Sequence, residues 1–225
     1  KNMNPIIAYT EYSKTTIIPA PKTSFAPKHE LPQINQNTYI HPMASVIGDI
    51  TLKDGVNIEP FASIRADEGS PIFIGKNTNI QDNVVVHGLR DEKYEKDGEK
   101  YSVYIGKNTS LAHQSQVHGP AIIGDNVFIG MQVFVFKSKI GDNVVIEPTA
   151  KIIGVNIEPN RYVEAGKIIK TQKDADNLPI IDDNYLNKNL NKIVVEDNIE
   201  LAQGYQKIMS YPPNYYLMSY SLSSN

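Results

Sequence analysis

Five histidines, His29, His41, His87, His113 and His118, are the side chains of this sequence best suited to chemistry. Cysteine is absent, so disulfides, thiolate metal sites and a thiol nucleophile are all excluded. Any metal must therefore be held by imidazole and carboxylate. A single histidine is ordinarily a surface or locally hydrogen-bonded residue, but three that converge can bind an ion. Three neutral imidazoles with an open fourth position make a catalytic zinc site. The ion lowers the pKa of bound water from 15.7 to about 7 and supplies hydroxide at neutral pH. A carboxylate or amide must then orient that hydroxide and move its proton. Whether three of the five histidines converge depends on the elements that carry them.

Those elements are legible as a repeat. Apolar residues recur every six positions: Ile40, Val46, Leu52, Ile58, Ile64, then Ile74, Ile80, Val86, then Ile105, Leu111, Val117, Ile123, Ile129, Val135. Single-residue slips carry the pattern on to Ile140, Ile146, Ile152 and to Ile157, Val163. Gly and Asn or Asp follow, as in I-G-K-N-T at 74–78 and 105–109 and I-G-D-N-V at 123–127 and 140–144. A period of six fits neither an amphipathic helix nor a simple alternating strand. It fits short strands joined by tight corners, because Gly and Asn accept the positive φ that corners need. The pattern predicts a parallel β-helix over 40–170, in which three hexapeptides form one coil of 18 residues. About six or seven coils then stack, roughly 4.8 Å apart.

The coil serves as a ruler. Two breaks interrupt the repeat: Ile64 to Ile74 spans ten residues, an excess of four, and Val86 to Ile105 spans 19, an excess of 13. His118 follows His87 by 31 residues; less the 13, they are one coil apart and stand one above the other. Two imidazoles so placed can share an ion. Arg65 precedes His87 by 22; less the four, it lies directly below in the same column. Asp82 precedes His113 by 31 and stacks one coil below it. His113 itself lies five residues before His118, in another phase and on the preceding face. If all three histidines bind one ion, His113 must come from a neighbouring subunit. Such a head-to-tail contact closes into a ring, and a three-faced prism suggests threefold symmetry. Asp67 and Glu68 in the first insertion, with Gln81 and Asp82 fixed by the repeat, are the nearby groups that could orient water or move protons.

The remaining segments are simpler. Residues 1–39 carry five prolines among polar residues and read as an extended, wrapping arm. Over 171–209, Ala175–Leu178 suggest a short helical turn. Residues 185–209 read as a helix whose stripe of Leu186, Leu190, Ile193, Val194, Ile199, Leu201, Ala202 and Ile208 should pack along the prism. The Tyr- and Ser-rich tail 210–225 reads as poorly ordered. In a chain of 225 residues, a net charge of −3 gives no basic footprint, so no nucleic-acid partner is expected. No run approaches the ~18 apolar residues of a spanning helix, so no membrane partner is expected either. The first residue is Lys1, which fits an extracytoplasmic protein with a removed leader as well as a trimmed cytoplasmic one.

Several motifs together carry a family resemblance: I-R-A-D-E-G at 64–69, P-I-F-I-G at 71–75, N-I-Q-D at 79–82, His87, Y-I-G at 104–106, L-A-H-Q-S-Q-V-H-G-P at 111–120, I-G-M-Q-V-F-V-F-K-S at 129–138 and L-A-Q-G-Y at 201–205. Over roughly 38–208 the sequence resembles the gamma-class carbonic anhydrases. The resemblance implies a left-handed β-helix with a helix along it, a homotrimer, and reversible hydration of CO2 to bicarbonate and a proton. It implies that His87 and His118 bind the metal (zinc, or Fe2+ or Co2+) from one subunit and His113 from the next. Gln81 would then hydrogen-bond the metal-bound hydroxide, with Asn79 supporting that amide. Glu68 would take part in proton transfer, Arg65 and Asp67 would form an ion pair between subunits, and Asn198 would lie near the site. Arg65, Asp67 and Asp82 could equally serve only to hold the trimer together. One departure stands out: where the family's prototype has a proton-exporting Glu three residues after the first metal His, this sequence has Arg90. The loop 88–103 is also shorter, though Asp91, Glu92, Glu95, Asp97 and Glu99 keep it acidic. One of these, or buffer, is expected to replace the shuttle.

Two other functions fit the repeat. Hexapeptide-repeat acyltransferases use one His as general base and need a groove for an acyl carrier, not three convergent His; fold does not fix function. A non-catalytic, anhydrase-like scaffold trimer, as used in carbon-fixing shells, is the second. The absence of appended repeat modules from the sequence favours the enzyme.

Overall fold

The structure is a computed structural model and describes residues 17–209. Short parallel strands wind into a three-faced solenoid. One face stacks Tyr39–Ile40, Asn57–Ile58, Asn79–Ile80, Ser110–Leu111, Phe128–Ile129, Val145–Ile146 and Tyr162–Val163 into a seven-stranded sheet. The other two faces join into one 13-stranded sheet, because the strands Gln116–Ile123 and Phe134–Ile140 run round a corner and pair on both. The repeating aliphatics point inward. Val46, Ile64, Val86, Val117, Val135 and Ile152 stack in one column within a single buried cluster. At the corners, Asn77, Asn83, Asn108, Asn126, Asn143 and Asn160 take positive φ, a conformation that a short polar side chain tolerates.

The winding starts earlier than the repeat predicts. Arm residues Ile17–Ile18 pair with Val46–Ile47, and Gln33–Ile34 pair with Thr51–Leu52. The arm thus supplies edge strands, and the solenoid reaches about eight turns. Residues 1–16 of the arm and the tail 210–225 lie outside the described residues.

Both excess segments leave the solenoid next to each other. The longer one carries an antiparallel hairpin, Tyr94–Lys96 against Glu99–Tyr101. The two loops touch through glycines: a Cβ on Gly88 would lie 1.9 Å from the Gly69 carbonyl oxygen. No other residue fits there without moving one loop.

After the last strand comes α1 (Gln172–Asp176), capped by the Thr171 hydroxyl on Asp174 N. The long helix α2 runs Leu190–Met209. It begins five residues later than its periodicity predicts. The Asp182 carboxylate accepts from Asn184 N and Tyr185 N, which turns the chain. Tyr185 is then held by stacking on Tyr162 at 4.0 Å and by donating its hydroxyl to Glu147 at 2.8 Å. The face of α2 on the solenoid also differs from the expected stripe. Asn191, Val195, Asn198 and Ala202 are buried and Leu190 and Val194 pack beside them, whereas Ile193, Leu201 and Ile208, like Leu186 before the helix, are exposed. The solenoid's flank explains the asparagines. It presents polar corner groups, and Asn191 Nδ2 donates to Asn126 Oδ1 and to the Asn108 carbonyl, both at 2.8 Å.

Candidate metal centre

The strand registers reproduce the columns counted from the sequence. Arg65 pairs with His87, His87 with His118, and His118 with Phe136. These side chains leave the same face of successive coils, so they meet. His87 Nδ1 lies 3.3 Å from His118 Nε2. The partners of the remaining nitrogens fix both tautomers. His87 Nε2 donates to Asp67 Oδ1 at 3.2 Å, with Glu68 Oε2 at 3.8 Å. His118 Nδ1 donates to the Gly119 carbonyl at 3.1 Å. The short contact is therefore lone pair against lone pair, which is unfavourable unless a cation lies between. Two ligands on a tetrahedral ion with metal–nitrogen bonds of ~2.0–2.1 Å stand about 3.3–3.4 Å apart, and the pair fits that spacing. A carboxylate behind a ligating imidazole, as Asp67 stands behind His87, orients the ring and raises its basicity.

Asp67 also accepts from Arg65 Nη1 at 2.8 Å. The resemblance implies this ion pair between subunits; in the single chain the two side chains meet each other. Phe136, which the sequence reading does not single out, packs edge-on against His118 at 5.4 Å and walls the site on that side. It lies 18 residues after His118, so the same ruler finds it.

The other predicted residues form a second group on a different face. His113 Nδ1 donates to Asp82 Oδ2 at 2.9 Å, which leaves Nε2 free as a ligand. Gln81 Nε2 donates to Asn79 Oδ1 at 3.0 Å, and Asn79 Nδ2 donates to Ser110 Oγ at 2.8 Å. With its NH2 so engaged, the Gln81 amide presents Oε1 as an acceptor. Asn198 on α2 comes to the same place: Asn57 Nδ2 donates to its Oδ1 at 3.0 Å. Gln81, Asp82, His113 and Asn198 line one cavity of about 410 Å³, together with Glu59 and Tyr205. Glu59 and Asn57 carry no motif signal and are absent from the sequence reading.

Among the described residues of one chain, no three His, Asp or Glu are grouped to hold an ion. The predicted residues fall into two separate groups, each a candidate half-site: one with His87, His118, Asp67 and Glu68, the other with His113, Gln81, Asn79 and Asn198. His29 and His41 are local, the first bonded to the Ala20 carbonyl and the second to Met43 N.

Comparison with known proteins gives the family. A carbonic anhydrase from Methanosarcina thermophila is 49% identical over 197 residues, which covers 83% of this chain and 80% of the relative. The chain belongs to the gamma-class carbonic anhydrase family. As a member of this gamma class, it also matches a mitochondrial gamma carbonic anhydrase of Arabidopsis thaliana, 30% identical over 62% of the chain and 42% of the relative. The carboxysome assembly protein CcmM of a Nostoc species is 42% identical over 71% of this chain, but the chain spans only 29% of that relative. The bacterial transferase hexapeptide family (six repeats) matches residues 102–137. Among solved structures, a candidate acetyltransferase from Bacillus cereus superposes with a TM-score of 0.65 at 20% identity, covering 80% of this chain and 94% of that one. That likeness shows the fold, a left-handed parallel β-helix of hexapeptide repeats.

Proposed function

We propose that the protein is a homotrimer in which His87 and His118 of one subunit and His113 of the next hold a zinc ion. At each of the three centres, CO2 and water are interconverted with bicarbonate and a proton. The observation that carries this reading is the histidine wiring. Each of the three rings has one nitrogen tied to an acceptor and the other left as a lone pair, and two of those lone pairs face each other at 3.3 Å. The third lies on the half-site that a single chain cannot fold back to meet them.

When bound, such an ion acidifies water to a pKa of about 7 and supplies the nucleophile at neutral pH. The chain's own groups do the rest. Gln81 Oε1, aimed by the Asn79–Ser110 chain, accepts a hydrogen from the attacking water and so turns its oxygen lone pair towards CO2. Phe136 excludes water on the side of His118 and leaves an apolar wall for an uncharged substrate. Glu68, beside His87 and partly exposed, takes the proton that the water gives up when it ionises. Asp67 and Asp82 hold His87 and His113 in the ligating tautomer.

Zinc, cobalt and iron all accept three imidazoles, so ligand type alone does not select among them. The test is stopped-flow CO2 hydration on protein whose bound metals are quantified in the same sample. Activity should rise with zinc occupancy and vanish in His113→Ala while the trimer persists. A fully loaded, inactive trimer would overturn the enzyme and leave the non-catalytic scaffold, the reading to which the match to carboxysome assembly proteins lends support. Protection by coenzyme A in a thermal-shift assay would instead support acyl transfer.

A further inference from the structure

The cavity beside His113 contains a carboxyl group that the reaction as described does not use. Glu59 lies one coil below Gln81, its backbone N donating to the Ile80 carbonyl at 2.9 Å. It is 7% exposed, and carboxylates are almost never buried that deeply without a cationic partner. Among the described residues no Lys, Arg or His forms an ion pair with it. Among the described residues its carboxyl accepts one hydrogen bond, from a neutral amide, Asn57 Nδ2 to Oε1 at 2.7 Å. That amide also reaches Asn198 Oδ1, so the carboxyl is held in place by the residues that anchor α2 at the site.

A buried carboxyl held only by amides costs stability when charged, so its retention calls for a use. Burial raises the Glu59 pKa, and the charge of Asp82 adds to this, while the Asn57 hydrogen bond and the charge of His113 oppose it. The groups facing it are His41 from the coil below, Asp82 and His113 from the coils above, and Asp197 and Tyr205 from α2. The carboxyl can thus take a proton at a pH nearer neutrality than an ordinary Glu, and it fronts a cavity wide enough for water. The acids of the loop 88–103 are differently placed. Asp91 pairs with Arg90 at 2.9 Å, Glu92 with Lys137 at 2.7 Å and Asp97 with Lys96 at 3.6 Å. Arg90 further stacks on Phe25 at 4.8 Å.

We propose that Glu59 is the proton-relay residue of the His113 half-site, taking from Glu68, through cavity water, the proton released by CO2 hydration and handing it to buffer. This rests on the anhydrase reading. The balance is closed: CO2 and water give bicarbonate and a proton, the proton passes from Glu68 to the Glu59 carboxylate and converts it to the acid, and a buffer base removes it and restores both carboxylates.

The test compares zinc-loaded wild-type trimer with Glu59→Gln, which keeps an oxygen for Asn57 to donate to but cannot carry a proton. Should Gln disturb assembly, Glu59→Ser leaves room for water instead. In dilute buffer the steady-state kcat of the variant should fall on the order of 10²-fold, the lower end of acid–base contributions. kcat/KM and the isotope exchange between CO2 and bicarbonate at chemical equilibrium should be retained, and concentrated imidazole should restore kcat. Independently of turnover, infrared pH titration of the metal-free protein should show a carboxylic-acid band that Glu59→Gln removes. A parallel fall of kcat and kcat/KM, no change in either, or no such band would overturn the relay. An inactive, loaded wild type would instead sink the anhydrase reading and the relay with it.

Discussion

Removing the Asp67 carboxylate should damage the metal centre far more than removing its arginine partner. Asp67 accepts from two donors, His87 Nε2–H at 3.2 Å and Arg65 Nη1 at 2.8 Å. In Asp67→Ala the imidazole loses the acceptor that keeps its proton on Nε2. The proton can then move to Nδ1, where His118 Nε2 waits 3.3 Å away as an acceptor. The two rings then hydrogen-bond to each other and close the gap that an ion would fill. Loss of a partner of this kind costs about 10–100-fold in metal affinity, or about 1.4–2.8 kcal/mol. Arg65→Ala removes the other half of the ion pair but leaves Asp67 on His87. The Arg65 side chain is 42% exposed, and an exposed pair is worth only about 0–1 kcal/mol. Its effect on metal affinity should therefore stay within about fivefold. Zinc competition against a chelator gives both affinities. Nitrogen NMR of the metal-free imidazoles gives the His87 tautomer directly, with the proton on Nε2 in wild type and shifted towards Nδ1 in Asp67→Ala. Equal losses in the two variants would refute the reasoning, since they would mean that the ion pair as a unit, and not the histidine tautomer, sets affinity. So would a wild-type His87 that carries its proton on Nδ1.

Two further outcomes concern stability. Gly88→Ala forces a Cβ to within 1.9 Å of the Gly69 carbonyl and 2.8 Å of Ser102 Oγ, an overpacking that costs about 1–3 kcal/mol; Gly204→Ala, in a helix with open space around it, should instead gain about 0.8–1.0 kcal/mol, and denaturant melts of the two variants check the opposite signs. Because the folded pKa of Glu59 is raised above the ordinary 4.5, its favourable contribution is complete below that value and is lost as pH climbs through the folded pKa. Glu59→Gln should therefore gain thermal stability relative to wild type towards neutral pH and lose that advantage in acid, and a stability difference independent of pH would contradict the assignment.

What the sequence makes legible here follows from one property of the solenoid: its coil has a whole number of residues. An 18-residue period turns a count into a position, so the registers Arg65 with His87, His87 with His118 and Asp82 beneath His113 follow once the two insertions are subtracted. Insertions leave the surface without shifting the columns. The same subtraction places Glu59 under Gln81 and Phe136 over His118, but neither type at its position announces chemistry. The helix resists such counting. Its apolar residues predict the packed face only in part: Leu190, Val194 and Ala202 pack on the solenoid, but Ile193, Leu201 and Ile208 are exposed while Asn191 and Asn198 are buried against a polar flank. Burial there is decided by what the solenoid offers, a row of corner amides and carbonyls, and that row is invisible in the helix's own periodicity. The strands within the arm are hidden for a related reason. Ile17–Ile18 and Gln33–Ile34 form strands only because the first coils present unpaired edges.

The division of the site into halves is a consequence of the same geometry. Side chains in one column of a parallel solenoid share a direction and are separated by one strand spacing of about 4.8 Å. Two of them can close on a single ion with no distortion, a spacing that His87 and His118 match. A third ligand from the next coil of that column would stand about 9.6 Å from the first, beyond the reach of one small ion bound by both. A ligand from an adjacent face leaves the prism in another direction, as His113 does beside Asp82. A straight prism thus provides two converging imidazoles readily and a third with difficulty. Its sides, however, can carry a complete donor set divided between them, with each half already wired: Asp67 behind His87, the Gly119 carbonyl behind His118 and Asp82 behind His113. On the proposed trimer, a second copy alongside would complete the set with side chains whose tautomers are fixed in advance. Under that arrangement metal affinity and subunit association are one equilibrium, since the ion binds the assembled form and not the separated chains. It would also account for the tie between so exposed a histidine as His113 and a carboxylate.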